Sequence, residues 1–207
     1  NYIQGTAIFK NSTTLIVEKK DSGKEELKFD KIVIATGSRI TNIPSLNIGS
    51  KRLLNSTSAL DLPAIPKSLL VIGGGYIGLE LGSVYQALGS KVSVVEMLDG
   101  LLPGADRDLV SHLSKRLIEK FESIILNSKV VEMKEVKDGI QVKIQDNEGK
   151  TTEQSYDYVL MSIGRRPDTS GLGLENTKVK VNERGWINVN NQMKTDDPDI
   201  YAIGDIV

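Results

Sequence analysis

The residues with the clearest chemical potential are glycines. Gly73, Gly75 and Gly78 stand at G-x-G-x-x-G spacing within Leu69-Leu70-Val71-Ile72-Gly73-Gly74-Gly75-Tyr76-Ile77-Gly78-Leu79-Glu80. Where such a run joins a strand to a helix, it suits the pyrophosphate of a dinucleotide. The first glycine permits a tight turn. The second lets the backbone approach the phosphates, and the third lets the helix pack closely on the strand. The helix N-terminus adds unpaired N–H groups and a partial positive charge. The candidate phosphate loop is therefore Gly73, Gly74, Gly75, Tyr76, Ile77 and Gly78. An acid that receives ribose hydroxyls belongs at the end of the following strand, and Glu96 occupies that place. No Lys or Arg follows Glu96 until Arg107, and Asp99 intervenes, so NAD is expected rather than NADP.

Nothing comparable points to bond-breaking chemistry. The chain has no cysteine, which excludes disulfides, thiolate metal sites and thiol catalysis within it. The single histidine, His112, has Asp108 and Arg116 four residues to either side and reads as a solvated residue on a polar helix face. No catalytic residue and no metal ligand is assigned. A stand-alone dehydrogenase of this fold would need a catalytic dyad that the sequence does not offer.

The elements that must position the glycines follow from periodicity. Leu69 to Ile72 reads as a buried parallel strand. Leu81, Val84, Tyr85 and Leu88 continue at helical spacing, with Gly89 as the C′ residue. Lys91 to Val95 is the second strand. A loop, Leu98 to Gly104, leads to Asp106 as N-cap and a helix over 108–121, with Leu109, Val110, Leu113, Leu117 and Phe121 on one face. Ile124 to Leu126 is a short strand. Lys129 to Val136, Gly139 to Ile144 and Thr151 to Ser155 form a three-stranded meander, and Tyr158 to Ile163 a further apolar strand. Upstream, Tyr2 to Phe9, Thr14 to Glu18 and Glu26 to Phe29 read as strands, with Asp21-Ser22-Gly23-Lys24 as a turn. Lys31 to Ala35 is a buried strand. A short helix near Ser56 to Leu60 and the prolines Pro63 and Pro66 precede the glycine-rich unit. Strands near Trp186 to Val189 and over Ile200 to Ile203 close the chain, with Trp186 as strand packing.

The 207 residues suit one large or two small domains, and 39% hydrophobic residues can fill an ordinary core. A net charge of −1 with scattered basic residues gives no footprint for nucleic acid or an anionic membrane. No apolar run reaches the roughly 20 residues needed to span a bilayer. The chain opens at Asn1 inside a strand pattern and is expected to be an excised piece of a longer protein.

An internal repeat organises the whole. Asp30 to Gly37 and Asp157 to Gly164 have the same spacing, each following a meander and enclosing an apolar strand. The second copy is complete; the first has only its meander and closing strand. The expected fold is α/β: a Rossmann-like dinucleotide-binding domain with a parallel sheet and a β-meander crossover, flanked by remnants of a second such domain. The expected boundaries are 1–40 for the first remnant, 41–166 for the NAD-binding domain and 167–207 for the return segment.

These motifs resemble the pyridine nucleotide-disulfide oxidoreductases, flavoproteins that carry FAD on one domain and a nicotinamide nucleotide on another. The resemblance makes the expected fold an FAD/NAD(P)-binding Rossmann-like one, with FAD on the second, FAD-binding domain. Ala35-Thr36-Gly37-Ser38 resembles the end of an FAD-domain strand. Gly73 to Glu80 resembles the nicotinamide fingerprint, Gly164-Arg165-Arg166-Pro167 the exit from that domain, and Ala202-Ile203-Gly204-Asp205 the return to FAD. Val94-Val95-Glu96 with Leu101 to Asp106 is most similar to the dihydrolipoamide dehydrogenase branch, and glutathione and mercuric reductases share the frame. The resemblance implies Glu80 near the nicotinamide and flavin edge, Val130 against the adenine, and Gly164 meeting the nicotinamide end. It implies Asp205 on the FAD ribitol and Gly5 to Ala7 bordering the FAD adenosine.

The resemblance also implies an intact protein that passes electrons from dihydrolipoamide through a redox disulfide and FAD to NAD. That protein would be a homodimer serving lipoyl domains of 2-oxo acid dehydrogenase or glycine cleavage complexes, in the cytoplasm or the mitochondrial matrix. The cysteine pair, the FAD glycine fingerprint and the C-terminal dimer domain with its catalytic histidine are not in these residues, so this piece is expected to be inactive alone. A non-catalytic NAD-binding module remains the second reading. Arg165 and Arg166 are read as a solvated turn, with phosphate binding the alternative.

Overall fold

The computed structural model describes residues 1–19, 23–61 and 64–207. Asp21 and Ser22 of the expected turn, and Pro63, lie outside the described residues. The chain divides into two units: residues 40–164, and residues 1–39 with 165–207.

In the 40–164 unit the apolar runs become a five-stranded parallel sheet. Its strands are β6 (Leu53–Leu54), β7 (Ser68–Ile72), β8 (Lys91–Val95), β9 (Ser123–Ile125) and β13 (Tyr158–Met161), in the order β6-β13-β7-β8-β9. Parallel strands buried on both faces need continuous apolar sequence, which β7 and β8 supply. Alternation then sorts the side chains. Leu69, Val71, Val92, Val94 and Leu160 meet the helices α1 (Tyr76–Ala87) and α2 (Arg107–Lys120). Leu70, Ile72, Val95, Val159 and Met161 meet the antiparallel meander β10 (Ser128–Val136), β11 (Gly139–Asp146) and β12 (Thr151–Tyr156).

The buried face of α1 takes only part of the apolar spacing: Leu81 and Tyr85 pack inward. Its buried residues are Gly78, Leu79, Gly82 and Tyr85, while Val84 and Leu88 are more than half exposed. Glycines at 78 and 82 let the helix approach the sheet closely, so the small-residue face turns inward. Gly89 does end the helix with φ +104°. On α2, Val110 and Leu117 are buried but Leu109 faces solvent. Asp106 is the N-cap residue by backbone geometry, yet its side chain makes no capping hydrogen bond. The expected short helix near Ser56 is a single 3-10 turn, Ser58–Leu60.

The other unit carries the meander β1 (Gly5–Asn11), β2 (Thr14–Lys19) and β3 (Gly23–Lys28), and the parallel pair β4 (Ile32–Ile34) and β15 (Ile200–Ala202). A small pair, β5 (Ser38–Ile40) and β14 (Arg165–Pro167), completes the strands. Its core gathers Phe9, Ile34, Leu174, Ile187, Ile200, Ala202 and Ile206. β1 starts at Gly5 rather than at Tyr2, which is left almost wholly exposed. The strand expected near Trp186 is not formed. Asn182 and Trp186 close a turn around Gly185 (φ +93°), and a lone bridge joins Val181 to Ile187. Trp186 is thus a half-buried turn residue rather than part of a strand.

Both copies of the repeat keep the order meander, then strand, then a glycine at positive φ: Gly37 at +69° and Gly164 at +109°. In the second copy the carboxylate of Asp157 accepts the amides of Lys67 (2.8 Å) and Ser68 (3.4 Å), and Ser68 Oγ accepts the Asp157 amide (2.9 Å). This reciprocal clamp fixes where β7 enters the sheet.

Candidate dinucleotide-binding site

The parallel register aligns the carboxyl ends of three strands. Ile72 pairs with Val95 on one side and Met161 on the other. Gly73, Glu96 and Ser162 therefore leave the sheet side by side, at the edge where open α/β sheets bind ligands. Gly73 turns out of β7 at φ +105°, its amide bonded to Val95 O at 2.9 Å. A Cβ there would lie 2.6 Å from the Ser162 carbonyl oxygen. A Cβ on Gly78 would lie 2.5 Å from Ser162 Oγ and 2.8 Å from Val71, so this glycine is required for helix and strand to meet.

Gly75 is different. It is the N-cap residue of α1, at φ −78°, and nothing lies within 4 Å of where its Cβ would be. The approach to the helix N-terminus is open there. The first helical bond runs from Leu79 N to Gly75 O, which leaves the amides of Tyr76, Ile77 and Gly78 without helical partners. Tyr76 is exposed and Ile77 half-buried beside this opening, and Glu80 is exposed one turn along. A glycine cradle with free space at Gly75 and unpaired amides behind it fits a pyrophosphate.

Glu96 is 8% exposed. Its Oε2 accepts the Gly74 amide at 2.6 Å and its Oε1 the Leu98 amide at 2.8 Å. Gly74 is itself buried. Its carbonyl accepts Leu102 N at 2.9 Å, and a Cβ would lie 2.7 Å from Leu101 Cδ2. Fingerprint spacing says nothing about this middle position, because its glycine is demanded by a loop about 27 residues downstream in the chain rather than by the turn. That loop is held by Arg107, which sequence reasoning treated only as a distant cation. Its guanidinium donates to the carbonyls of Leu101, Leu102 and Ala105.

The remaining expected residues are placed as follows. Ser128 N donates to Glu96 O, which brings the start of β10 alongside, but the side chain of Val130 is buried in the core beneath the meander. Val131, next to it, is the exposed one. Gly164 is exposed beyond β13, its carbonyl taken by the Thr41 amide at 3.1 Å. Asp205 belongs to the other unit, where Ser38 Oγ donates to its Oδ2 at 2.5 Å. Arg165 is not a free turn residue: its Nε donates to Ser38 Oγ and its Nη2 to Ser38 O, both at 2.6 Å. Gly5 and Ala7 lie on β1, opposite Lys19 and Val17. His112 is exposed on α2. Among the described residues no group of acids and histidines is placed to hold a metal ion, and no helix is long and apolar enough to cross a membrane.

A parallel sheet with a glycine turn, an acid ending the next strand and a meander on the opposite face defines a dinucleotide-binding α/β protein. The chain belongs to the pyridine nucleotide-disulphide oxidoreductase family, whose model matches residues 1–207. It is 43% identical over 205 residues to a dihydrolipoyl dehydrogenase of Haemophilus influenzae, covering 99% of this chain and 42% of that protein. It is 42% identical to one from Geobacillus stearothermophilus, covering 99% of this chain and 43% of that protein. Among solved structures, the HOCl-induced flavoprotein disulfide reductase RclA from Escherichia coli superposes with a TM-score of 0.87 at 33% identity, over 100% of this chain and 46% of that one. The chain thus spans about two-fifths of the length of the curated relatives it matches.

Proposed function

We propose that this chain is the NAD-binding portion of an FAD-dependent dihydrolipoyl dehydrogenase. The carrying observation is the glycine turn at the N-terminus of α1 with the Glu96 carboxylate bonded to its middle amide. The pyrophosphate sits on the amides of Gly75 to Gly78, and the adenosine ribose hydroxyls reach Glu96. Val130 contributes through its backbone, since its side chain is in the core. Gly164 meets the nicotinamide end and Glu80 lies towards the flavin. The 40–164 unit is the NAD-binding domain, and the other unit is part of the FAD domain, with Asp205 on the ribitol and Gly5 and Ala7 near the adenosine.

The names of the relatives support the chemistry. In the intact protein dihydrolipoamide is oxidised to the disulfide and NAD is reduced, with FAD and a redox cysteine pair carrying the two electrons between them. The intact protein is a homodimer that takes lipoyl domains as substrates in the cytoplasm or mitochondrial matrix. This chain binds, orients and selects the nucleotide.

Calorimetric titration of the chain with NAD tests the reading, and a single site is expected. Flavin should not survive gel filtration of the chain, because the second glycine cradle is not among these residues. In the intact protein, NADH formation from dihydrolipoamide is expected. The structural likeness to RclA supports a second reading, a reductase for another disulfide, and NADH-dependent disulfide reduction without dihydrolipoamide oxidation would favour it.

A further inference from the structure

We propose that Arg107 is a positioning residue that sets the choice between NAD and NADP, an inference that rests on the NAD-binding reading above. Arg107 is the first residue of α2, where the helix dipole favours acids and opposes a cation. Its guanidinium turns away from that helix and back over the preceding loop. Nη1 donates to Leu101 O at 3.0 Å. Nη2 donates to Leu102 O at 2.5 Å and Ala105 O at 2.9 Å, and Nε to Ala105 O at 3.1 Å. Four of these bonds from a group with five N–H donors leave little of the fork for any ligand.

Two consequences follow. The first is mechanical. Leu102 is held at φ +49°, a conformation that non-glycine residues adopt at a cost, and in it donates its amide to Gly74 O. Leu101, 2% exposed, packs over Gly74. At the near end of the same loop Leu98 donates to Glu96 Oε1. By tying three carbonyls of this loop, Arg107 fixes both sides of the glycine that Glu96 grips. The second is electrostatic. Arg107 is the nearest cation downstream of Glu96, and a Cβ on Gly100 would lie 2.9 Å from its Nη1. A free cation on the loop that follows Glu96 would suit a 2′-phosphate. Locked onto carbonyls, it is withheld from one.

Arg107→Lys and Arg107→Gln separate the two consequences. Lysine keeps the charge on a flexible stem but cannot fork over three carbonyls; glutamine removes the charge as well. In both variants, amide hydrogen exchange at Gly74 and Leu102 should speed up without any nucleotide present. NAD should weaken about 3- to 10-fold in both, the worth of one hydrogen bond. Arg107→Lys should also gain affinity for NADP, so its NAD-to-NADP ratio falls below that of Arg107→Gln. A loss of general stability would weaken both nucleotides together and leave the ratio alone. Unchanged exchange at the two amides would overturn the positioning role, whatever the nucleotide does. Faster exchange with an unchanged ratio in both variants would overturn the role in selectivity. Failure of the wild-type chain to bind NAD, with the exchange changes present, would count against the function proposed above rather than against the loop clamp.

Discussion

The amide of Gly74 donates to the carboxylate of Glu96 at 2.6 Å, so the glycine turn and the end of β8 are one hydrogen-bonded unit. An ionised carboxylate offers about four lone-pair sites. Gly74 and Leu98 take two, and on the proposed reading the remainder are left for ribose hydroxyls. A 2′-phosphate there would set anion against anion. The gained contact and avoided repulsion should together favour NAD over NADP by about 2–4 kcal/mol, roughly 30- to 1,000-fold. Glu96→Ala should weaken NAD and narrow that gap. Titration calorimetry with both nucleotides on wild type and variant is the check, and equal or tighter NADP binding to the wild type would contradict the assignment.

Two neighbouring glycines should respond oppositely to alanine. At Gly74 the added methyl meets Leu101 Cδ2 at 2.7 Å and Glu96 Oε2 at 3.1 Å, an overpacking that should cost about 1–3 kcal/mol of stability. At Gly75 the methyl enters open space at an ordinary φ, so stability should move by less than about 1 kcal/mol. Gly75→Ala should instead lose nucleotide affinity, because the methyl stands where the phosphates approach. Urea unfolding and NAD titration of both variants give the contrast.

The parallel sheet, the meander and the order of the elements were legible because each rests on local patterning. Leu69 to Ile72 and Lys91 to Val95 carry the apolar runs of doubly buried strands, and Asp138-Gly139 marks a meander turn. The glycine turn was legible because its spacing encodes a backbone shape. What stayed hidden was set by distant neighbours. Of the apolar residues at helical spacing on α1, Tyr85 and Leu81 turn inward but Val84 and Leu88 do not, since Gly78 and Gly82 decide how close the helix comes. A strand is expected near Trp186 to Val189, but Asn182 uses its side chain to close a turn instead. The roles of Gly74 and Arg107 depend on a loop folding back over β7, and the strut from Arg165 to Ser38 joins residues 127 apart. No periodicity reports such contacts.

Asp197 is expected to anchor the unit formed by residues 1–39 and 165–207. It is 2% exposed, and its Oδ2 accepts Ser12 Oγ at 2.5 Å and Lys178 N at 3.1 Å. Asp197→Ala would leave the part-buried Lys178 amide and Ser12 hydroxyl without their partner, at about 1–3 kcal/mol. Asp197→Asn, which keeps an oxygen acceptor, should cost about half as much. Urea midpoints measure both effects. NAD affinity should be unchanged, since the candidate nucleotide residues Gly73 to Gly78 and Glu96 lie in the other unit.

The last prediction concerns alkaline pH. Tyr85 and Tyr156 are both buried in the 40–164 unit, the first donating its hydroxyl to Ala59 O and the second to Gln154 Oε1. Burial raises both phenols above their usual 10.0. For Tyr156 the polar Ser93 hydroxyl works against the rise and the charge of Glu122 adds to it. Below pH 10 the phenols are protonated in folded and unfolded chains alike, and their contribution is fully present. As pH climbs above about 10 the unfolded chain releases these protons first, so stability is lost until the folded phenols also ionise. The double variant Tyr85→Phe, Tyr156→Phe should start less stable near pH 8 by about 1–3 kcal/mol, having lost two hydrogen bonds. Its stability should then fall less steeply between about pH 8 and pH 11 than the wild type's. All other titratable groups are common to both proteins, so the difference between the two urea-midpoint curves isolates the tyrosines. Parallel curves would mean that these phenols ionise in the folded chain as readily as in the unfolded one.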